Sequence, residues 1–171
     1  MAPALYAALA PTAAARARAF DVYSLAATAW AYASAKESAP VLTHALADVA
    51  RERIDQFELT GLVMTARAFV RSRHVDGSFL DAAAERLLHS VPDLSPQELA
   101  NTAWTYATAG HVSPALLDAI GDVAAARVAE FKPQELANLG WAFAAADVPN
   151  TALFGADGSF ARACDAAEWH V

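Results

Sequence analysis

Cysteine is almost missing from this sequence. Cys164 is the single one among 171 residues, which excludes an internal disulfide framework and a cysteine-rich zinc site. Long apolar runs are missing as well. Although 56% of the residues are hydrophobic, no stretch approaches the ~18 uninterrupted apolar residues of a membrane-spanning helix, so no membrane partner is expected. Basic residues are scarce: 12 Lys and Arg stand against 19 Asp and Glu, a net charge of −7, which argues against a general nucleic-acid sponge.

Catalytic signatures are lacking too. There is no phosphate-loop glycine pattern, no nucleophile elbow and no His-Glu-x-x-His. The five histidines, His44, His74, His89, His111 and His170, include no two on one helix face at metal-ligand spacing. Cys164 has no recurrent histidine partner and reads as an inert thiol. The expectation is a protein that is not an enzyme, with no cofactor, no metal and no small-molecule substrate.

What the sequence does have is a period. Residues from Leu94 to Glu130 read LSPQELANTAWTYATAGHVSPALLDAIGDVAAARVAE, and a shift of 37 residues brings FKPQELANLGWAFAAADVPNTALFG into register at Phe131. Shifting back twice gives FELTGLVMTARAFVRSRHVDGSFLD at Phe57 and FDVYSLAATAWAYASAKESAPVLTH at Phe20. A fixed period of this size marks a solenoid of supersecondary units. Within one unit, Ser95-Pro96-Gln97-Glu98 is a helix start, with Ser95 and Glu98 spaced as a capping box. Leu99, Ala103, Tyr106 and Ala107 follow at helical spacing, and Gly110 is a stop signal. Ser113-Pro114 opens a second helix with Leu116, Leu117, Ile120, Val123 and Ala124 inward. Each unit is therefore helix A, a turn and helix B, and only stacking buries both faces.

The fold class is all-α, an α-solenoid of about four 37-residue repeats at 20–56, 57–93, 94–130 and 131–167, with a tail at 168–171. Helix A is expected to start near 22, 59, 96 and 133, and helix B near 40, 77 and 114. The core is expected to hold Leu25, Leu62, Leu99 and Leu136 with Tyr32, Phe69, Tyr106 and Phe143. Residues 1–19 hold Arg16 and Arg18 and no acid. They read either as an organelle transit peptide or as a leftover helix B, since Pro3, Leu9 and Arg16 fall at the positions of Pro114, Ile120 and Arg127. The last repeat degrades: Gly155 weakens its helix B and Asp157-Gly158 interrupts it. In the second repeat Asp76-Gly77 reads as the turn between helices, and Arg71 and Arg73 pair with Asp76, Asp81 and Glu85 on the plainest reading.

A binding face is sought opposite the core. At 100° per residue from Leu99, Gln97, Glu98, Asn101, Thr105 and Thr108 fall on the far arc. Their equivalents are Gln134, Glu135, Asn138, Ala142 and Ala145 in the next repeat, and Thr60, Gly61, Met64, Ala68 and Arg71 in the one before. This face is small, polar and variable while core positions repeat, the pattern of a modular reader of base edges. Asn101 and Asn138 either meet bases or ladder to a neighbouring repeat's backbone. Trp30, Trp104 and Trp141 either stack on bases or pack between adjacent helices A. The candidate RNA-binding residues are Arg67, Arg71, Gln97, Asn101, Thr105, Gln134 and Asn138, expected on one concave surface with the two arginines at its entrance.

The string ELANTAWTYATAG and its echo ELANLGWAFAAAD resemble octotricopeptide-type repeats. They are also similar to the helical repeats that precede RAP domains in the FAST-kinase-like family and to RNA-editing substrate-binding complex domains. The resemblance covers residues 20–150 and implies an α-solenoid that binds single-stranded RNA in a mitochondrion or chloroplast, for RNA processing, stability or translation. The competing expectation is a protein–protein interaction scaffold of the same architecture, cytoplasmic if residues 1–19 are no transit peptide.

Overall fold

A computed structural model describes residues 3–74, 76–155 and 158–166. Every regular element among them is helical. In chain order these are α1 (Pro3–Ala15), α2 (Val22–Ala35), α3 (Pro40–Glu52), α4 (Leu59–Arg71), α5 (Gly77–Leu88), α6 (Pro96–Ala109), α7 (Pro114–Ala126), α8 (Pro133–Ala146), α9 (Thr151–Phe154) and α10 (Ser159–Ala166). Helix A of the four repeats is α2, α4, α6 and α8, starting at 22, 59, 96 and 133. Helix B of the first three is α3, α5 and α7, starting at 40, 77 and 114. A 3₁₀ turn leads into each helix A, at Ala17–Ala19, Ile54–Gln56, Val91–Asp93 and Val128–Glu130, again one period apart. The chain is thus all-α, with helix pairs at a 37-residue period, the architecture of a solenoid-type helical repeat.

The period is written into the helix ends. Ser95 Oγ accepts from the Glu98 backbone N–H at 3.3 Å, while Glu98 Oε2 accepts from the Ser95 N–H at 2.8 Å, so the capping box is complete. In the next repeat Lys132 replaces the serine and only the return half survives, Lys132 N–H to Glu135 Oε2 at 2.8 Å. Every helix A ends on a left-handed residue: Lys36 (φ 58°), Arg73 (φ 58°), Gly110 (φ 63°) and Asp147 (φ 52°). In each, the next N–H bonds back five residues, as His111 N–H does to Tyr106 O at 3.2 Å, closing a Schellman-type cap. Asp76-Gly77 is not a turn. The Asp76 carboxylate accepts from the Phe79 N–H at 3.0 Å and Gly77 opens α5, because a short acidic side chain before a helix satisfies its orphan donors.

The chain divides into two compact units, Met1–Ala83 and Ala84–Val171. In the first, α2 packs on α4 and on α3, and α1 packs on α3. Leu25, Leu42, Leu46, Leu62, Phe69 and Phe79 are among its largest buried side chains. In the second, α6 packs on α8 and α7, α7 on α9, and α10 on α8 and α9. Its core is built on Leu94, Leu99, Tyr106, Leu116, Leu117, Ile120, Leu136 and Phe143. All eight residues expected in the core from the period are buried. Helix B of the last repeat stops after one turn: α9 ends at Gly155 and the chain resumes as α10 beyond Gly158 (φ 65°). Asp157 lies outside the described residues, as do Trp169, His170 and Val171.

A second device ties each unit together across its period. Arg53 donates from Nη1 to Phe20 O and from Nη2 to Arg18 O, both at 2.7 Å. Two periods later Arg127 Nη1 donates to Leu94 O at 2.8 Å. The arginine closing helix B thus holds the carbonyls that lead into the helix A of the same repeat, a charge-assisted satisfaction of groups no helix reaches.

His74 follows the left-handed cap of α4. Its ring lies edge-on to Phe69 at 6.1 Å and to His44 at 5.8 Å, and its Nε2 is buried without a hydrogen-bond partner. Burial lowers its pKa below the ordinary histidine value, His44 reinforces this, and Asp76 and Asp48 oppose it. The unfolded chain, with a histidine pKa of about 6.5, then binds more protons than the folded one just below that pH. The stability this group supports is complete above about pH 6.5 and is lost as pH falls towards the folded pKa. The shifted carboxylates of Asp21, Glu52, Asp76 and Glu130 all move below the ordinary carboxylate range and stay outside this window. The melting temperature should therefore fall between pH 7.5 and 5.5, and His74→Phe should flatten that fall. An equal slope in the variant would show that His74 does not cause it.

Candidate nucleic-acid interface

Helix α6 presents one narrow open stripe, and it is rotated from the arc expected. On α6 it consists of Gln97, Asn101, Trp104 and Thr108, exposed or half-buried. Thr105, expected among the readers, is 1% exposed and its hydroxyl donates to Asn101 O at 2.7 Å. That corrects its assignment as an RNA contact. The reason is visible in register. Ala68 on α4 and Ala142 on α8 are both fully buried, whereas Ala31 on α2 is exposed. Helix α4 has α2 before it and α8 has α6, while among the described residues α2 follows α1. On α4 and α8 that arc turns towards the helix A before it, α2 and α6. Glu135 is likewise buried, 9% exposed, with its carboxylate committed to the cap. A single helical wheel does not show which arc a neighbouring helix A covers.

In residues 1–83 the stripe reads Tyr23, Ala27, Trp30 and Ser34 on α2, and Thr60, Met64, Arg67 and Arg71 on α4. Both guanidinium groups sit over the Trp30 ring, Arg71 at 5.5 Å and Arg67 at 6.0 Å from its centre, within cation–π range. Burial, with the charge of Arg71 beside it, lowers the Arg67 pKa, and an arginine stays charged at neutral pH regardless. Between the two helices runs an apolar groove of about 480 Å³, walled by Tyr23, Ala27, Trp30, Thr60, Gly61 and Met64. Tyr23 is 81% exposed at its edge.

In residues 84–171 the same four positions are Gln97, Asn101, Trp104 and Thr108 on α6, and Gln134, Asn138, Trp141 and Ala145 on α8. The indoles of Trp104 and Trp141 lie 6.4 Å apart, tilted by 35°. Trp141 is still 49% exposed. The tryptophans thus pack between adjacent helices A and also keep ring surface open. Gln134 Nε2 donates to Asn138 Oδ1 at 3.1 Å, so the amide of Asn138 pairs along its own helix. The structure brings Gln97, Asn101, Gln134 and Asn138 onto adjacent helices of one unit, and Arg67 and Arg71 onto one helix of the other. The tryptophans were the residues to add to the candidate list; their signal was the shared register 30, 67, 104 and 141, where arginine replaces tryptophan once.

Charge is distributed unevenly. Residues 1–83 carry eight basic and eight acidic side chains, and residues 84–171 carry four and eleven. None of the sixteen stripe positions is acidic. The acids of the second unit stand elsewhere: Glu98 and Glu135 in helix caps, Glu130 paired with Arg127 at 2.9 Å, and Asp118 and Asp122 on α7. Among the described residues no group of three or more His, Cys, Asp or Glu side chains is placed to hold a metal ion, and no helix is long and apolar enough to cross a membrane.

The geometry defines an all-helical chain of regularly spaced helix pairs, consistent with a helical repeat. No protein-family model matches the sequence, and no curated protein matches it significantly.

Proposed function

We propose that this chain is an RNA-binding helical-repeat protein that holds single-stranded RNA along the open stripe of its helices A. The observation that carries the reading is the composition of that stripe. On a chain of net charge −7 it bears no acid, two arginines and three tryptophans, with amides at the first two positions of two repeats. Ring faces accept any base by stacking, amides hydrogen-bond base edges, and arginines neutralise phosphate. The likeness of ELANTAWTYATAG to octotricopeptide-type repeats supports the same reading, and extends it to RNA processing, stability or translation in a mitochondrion or chloroplast. In this reading Arg67 and Arg71 carry phosphate, Gln97, Asn101, Gln134 and Asn138 meet base edges, and Trp30, Trp104 and Trp141 stack.

Arg71→Ala should weaken binding to every RNA sequence alike and reduce the salt slope by about 0.7, because a phosphate contact carries no sequence information. Asn101→Ala should change the preferred base and leave the affinity for a mixed pool nearly unchanged. Competition binding with homopolymer oligonucleotides at several salt concentrations measures both. A lower melting temperature with unaltered base preference would make Asn101 a structural residue and remove it from the interface. The surplus of acid in residues 84–171 favours the second reading, a protein-interaction scaffold, and that reading prevails if neither variant alters RNA binding.

A further inference from the structure

The arc that α4 and α8 bury against a preceding helix A lies open on α2. Thr65 and Ala68 on α4 are fully buried, and so are Leu139 and Ala142 on α8. At the same positions on α2, Thr28 is half-buried and Ala31 exposed. These two residues form one wall of a groove of about 470 Å³ whose other wall is Tyr6, Leu9 and Ala13 of α1. The groove is apolar, its floor is fixed by Tyr32, whose hydroxyl donates to Tyr6 O at 2.9 Å, and Leu9 on its rim is 52% exposed. Eight residues of α1, from Tyr6 to Ala13, run along it, about 12 Å of helix.

Arg16 stands at the end of this groove. It occupies the register of Arg53 and Arg127. Those two arginines hold the carbonyls leading into a helix A, Phe20 O with Arg18 O, and Leu94 O. Arg16 is exposed and has the same reach. Groove and arginine are independent observations, and both fit a helix that lies where a helix A lies elsewhere in the fold, with its lead-in carbonyls towards Arg16.

We infer that the α1–α2 groove is a docking site for a partner α-helix patterned like this chain's own helix A. Such a helix would lay small side chains and one aromatic ring against Thr28 and Ala31, and its N-terminal lead-in would be gripped by Arg16. The edge that α6 turns to α8, with Trp104 against Trp141, has this form. It continues the α2–α4 and α6–α8 packing rather than inventing a new one, and it follows the helix-in-groove mode of recognition.

The test uses the full chain and a fluorescein-labelled peptide of residues 92–110, stapled between positions 97 and 101 on its outward side, since an unconstrained helix of this length is marginal in water. Fluorescence anisotropy should show saturable binding. Ala31→Glu changes an exposed residue, so the fold should persist by circular dichroism, and the affinity should drop at least about tenfold for a charge buried without a partner. Arg16→Ala should weaken binding by about tenfold, the loss of charge-assisted hydrogen bonds. A stapled peptide with Trp104→Glu should not bind. Absence of saturable binding by the wild type, or undiminished binding by Ala31→Glu, overturns the inference. So does concentration-dependent self-association that Ala31→Glu abolishes while the peptide fails to bind, because the groove would then hold a second copy of the chain.

Discussion

Leu99→Ala should cost about 2–5 kcal/mol, the range for deleting a fully buried leucine side chain. Leu99 has no exposed surface and sits one turn before Ala103 and two before Tyr106, which are equally buried. Every repeat places a leucine there: Leu25, Leu62 and Leu136 are 1%, 0% and 2% exposed. The cavity left by the substitution would be lined by the rigid backbones of α6 and its packing partners, which collapse poorly, so the upper half of the range is expected. Urea unfolding followed by circular dichroism measures it. Leu88, 37% exposed, provides the control, and its alanine variant should lose far less. A loss under about 1 kcal/mol at Leu99 would mean that the repeat core is not where the period places it.

Gly121→Ala should also destabilise, against the helix propensities. Alanine is the better helix former by about 1 kcal/mol, and Gly121 lies inside α7 with ordinary helical geometry. But a Cβ at Gly121 would lie 2.5 Å from both Cγ and Nδ2 of Asn150. Asn150 is buried and caps α9, its Oδ1 accepting from the Leu153 N–H at 2.8 Å and its Nδ2 donating to Asp118 O at 3.2 Å. Its short side chain has nowhere to retreat without releasing both bonds. The expected loss is about 1–3 kcal/mol, as for other overpacked sites. A double-mutant cycle decides the cause: in an Asn150→Ala background the same change should become neutral or stabilising, since only the helix propensity remains. Equal losses in both backgrounds would place the defect elsewhere.

Most helix starts were legible because two signals coincide there, the 37-residue period and a proline or capping residue at the first turn; α4, which opens behind Glu58 with neither, has the period alone. Ser95 and Glu98 form the box their spacing foretold. The core was legible because Leu99 and Tyr106 recur in type as well as in position. The helix ends were less so. Gly110 announces its left-handed cap and Asp147 is one of the few other residue types that tolerate it, but Lys36 and Arg73 adopt the same conformation with side chains that do not favour it, so only the register betrays them. The Arg53 and Arg127 grips join residues more than thirty apart, which no local pattern encodes. Thr105 was misplaced because a helical wheel drawn from Leu99 knows one buried face, and Thr105 is buried outside it. The tryptophans were seen, yet their double role depends on the 6.4 Å spacing of Trp104 and Trp141, a distance between repeats.

The most direct test of the account is filter binding of the folded 171-residue chain to a random single-stranded RNA pool at two salt concentrations. With two stripe arginines on phosphate, the logarithm of the affinity should fall with the logarithm of salt with a slope of about −1.4, and double-stranded RNA of equal length should compete poorly. Absence of binding at low salt by a chain shown to be folded would contradict the RNA reading and leave the scaffold in its place.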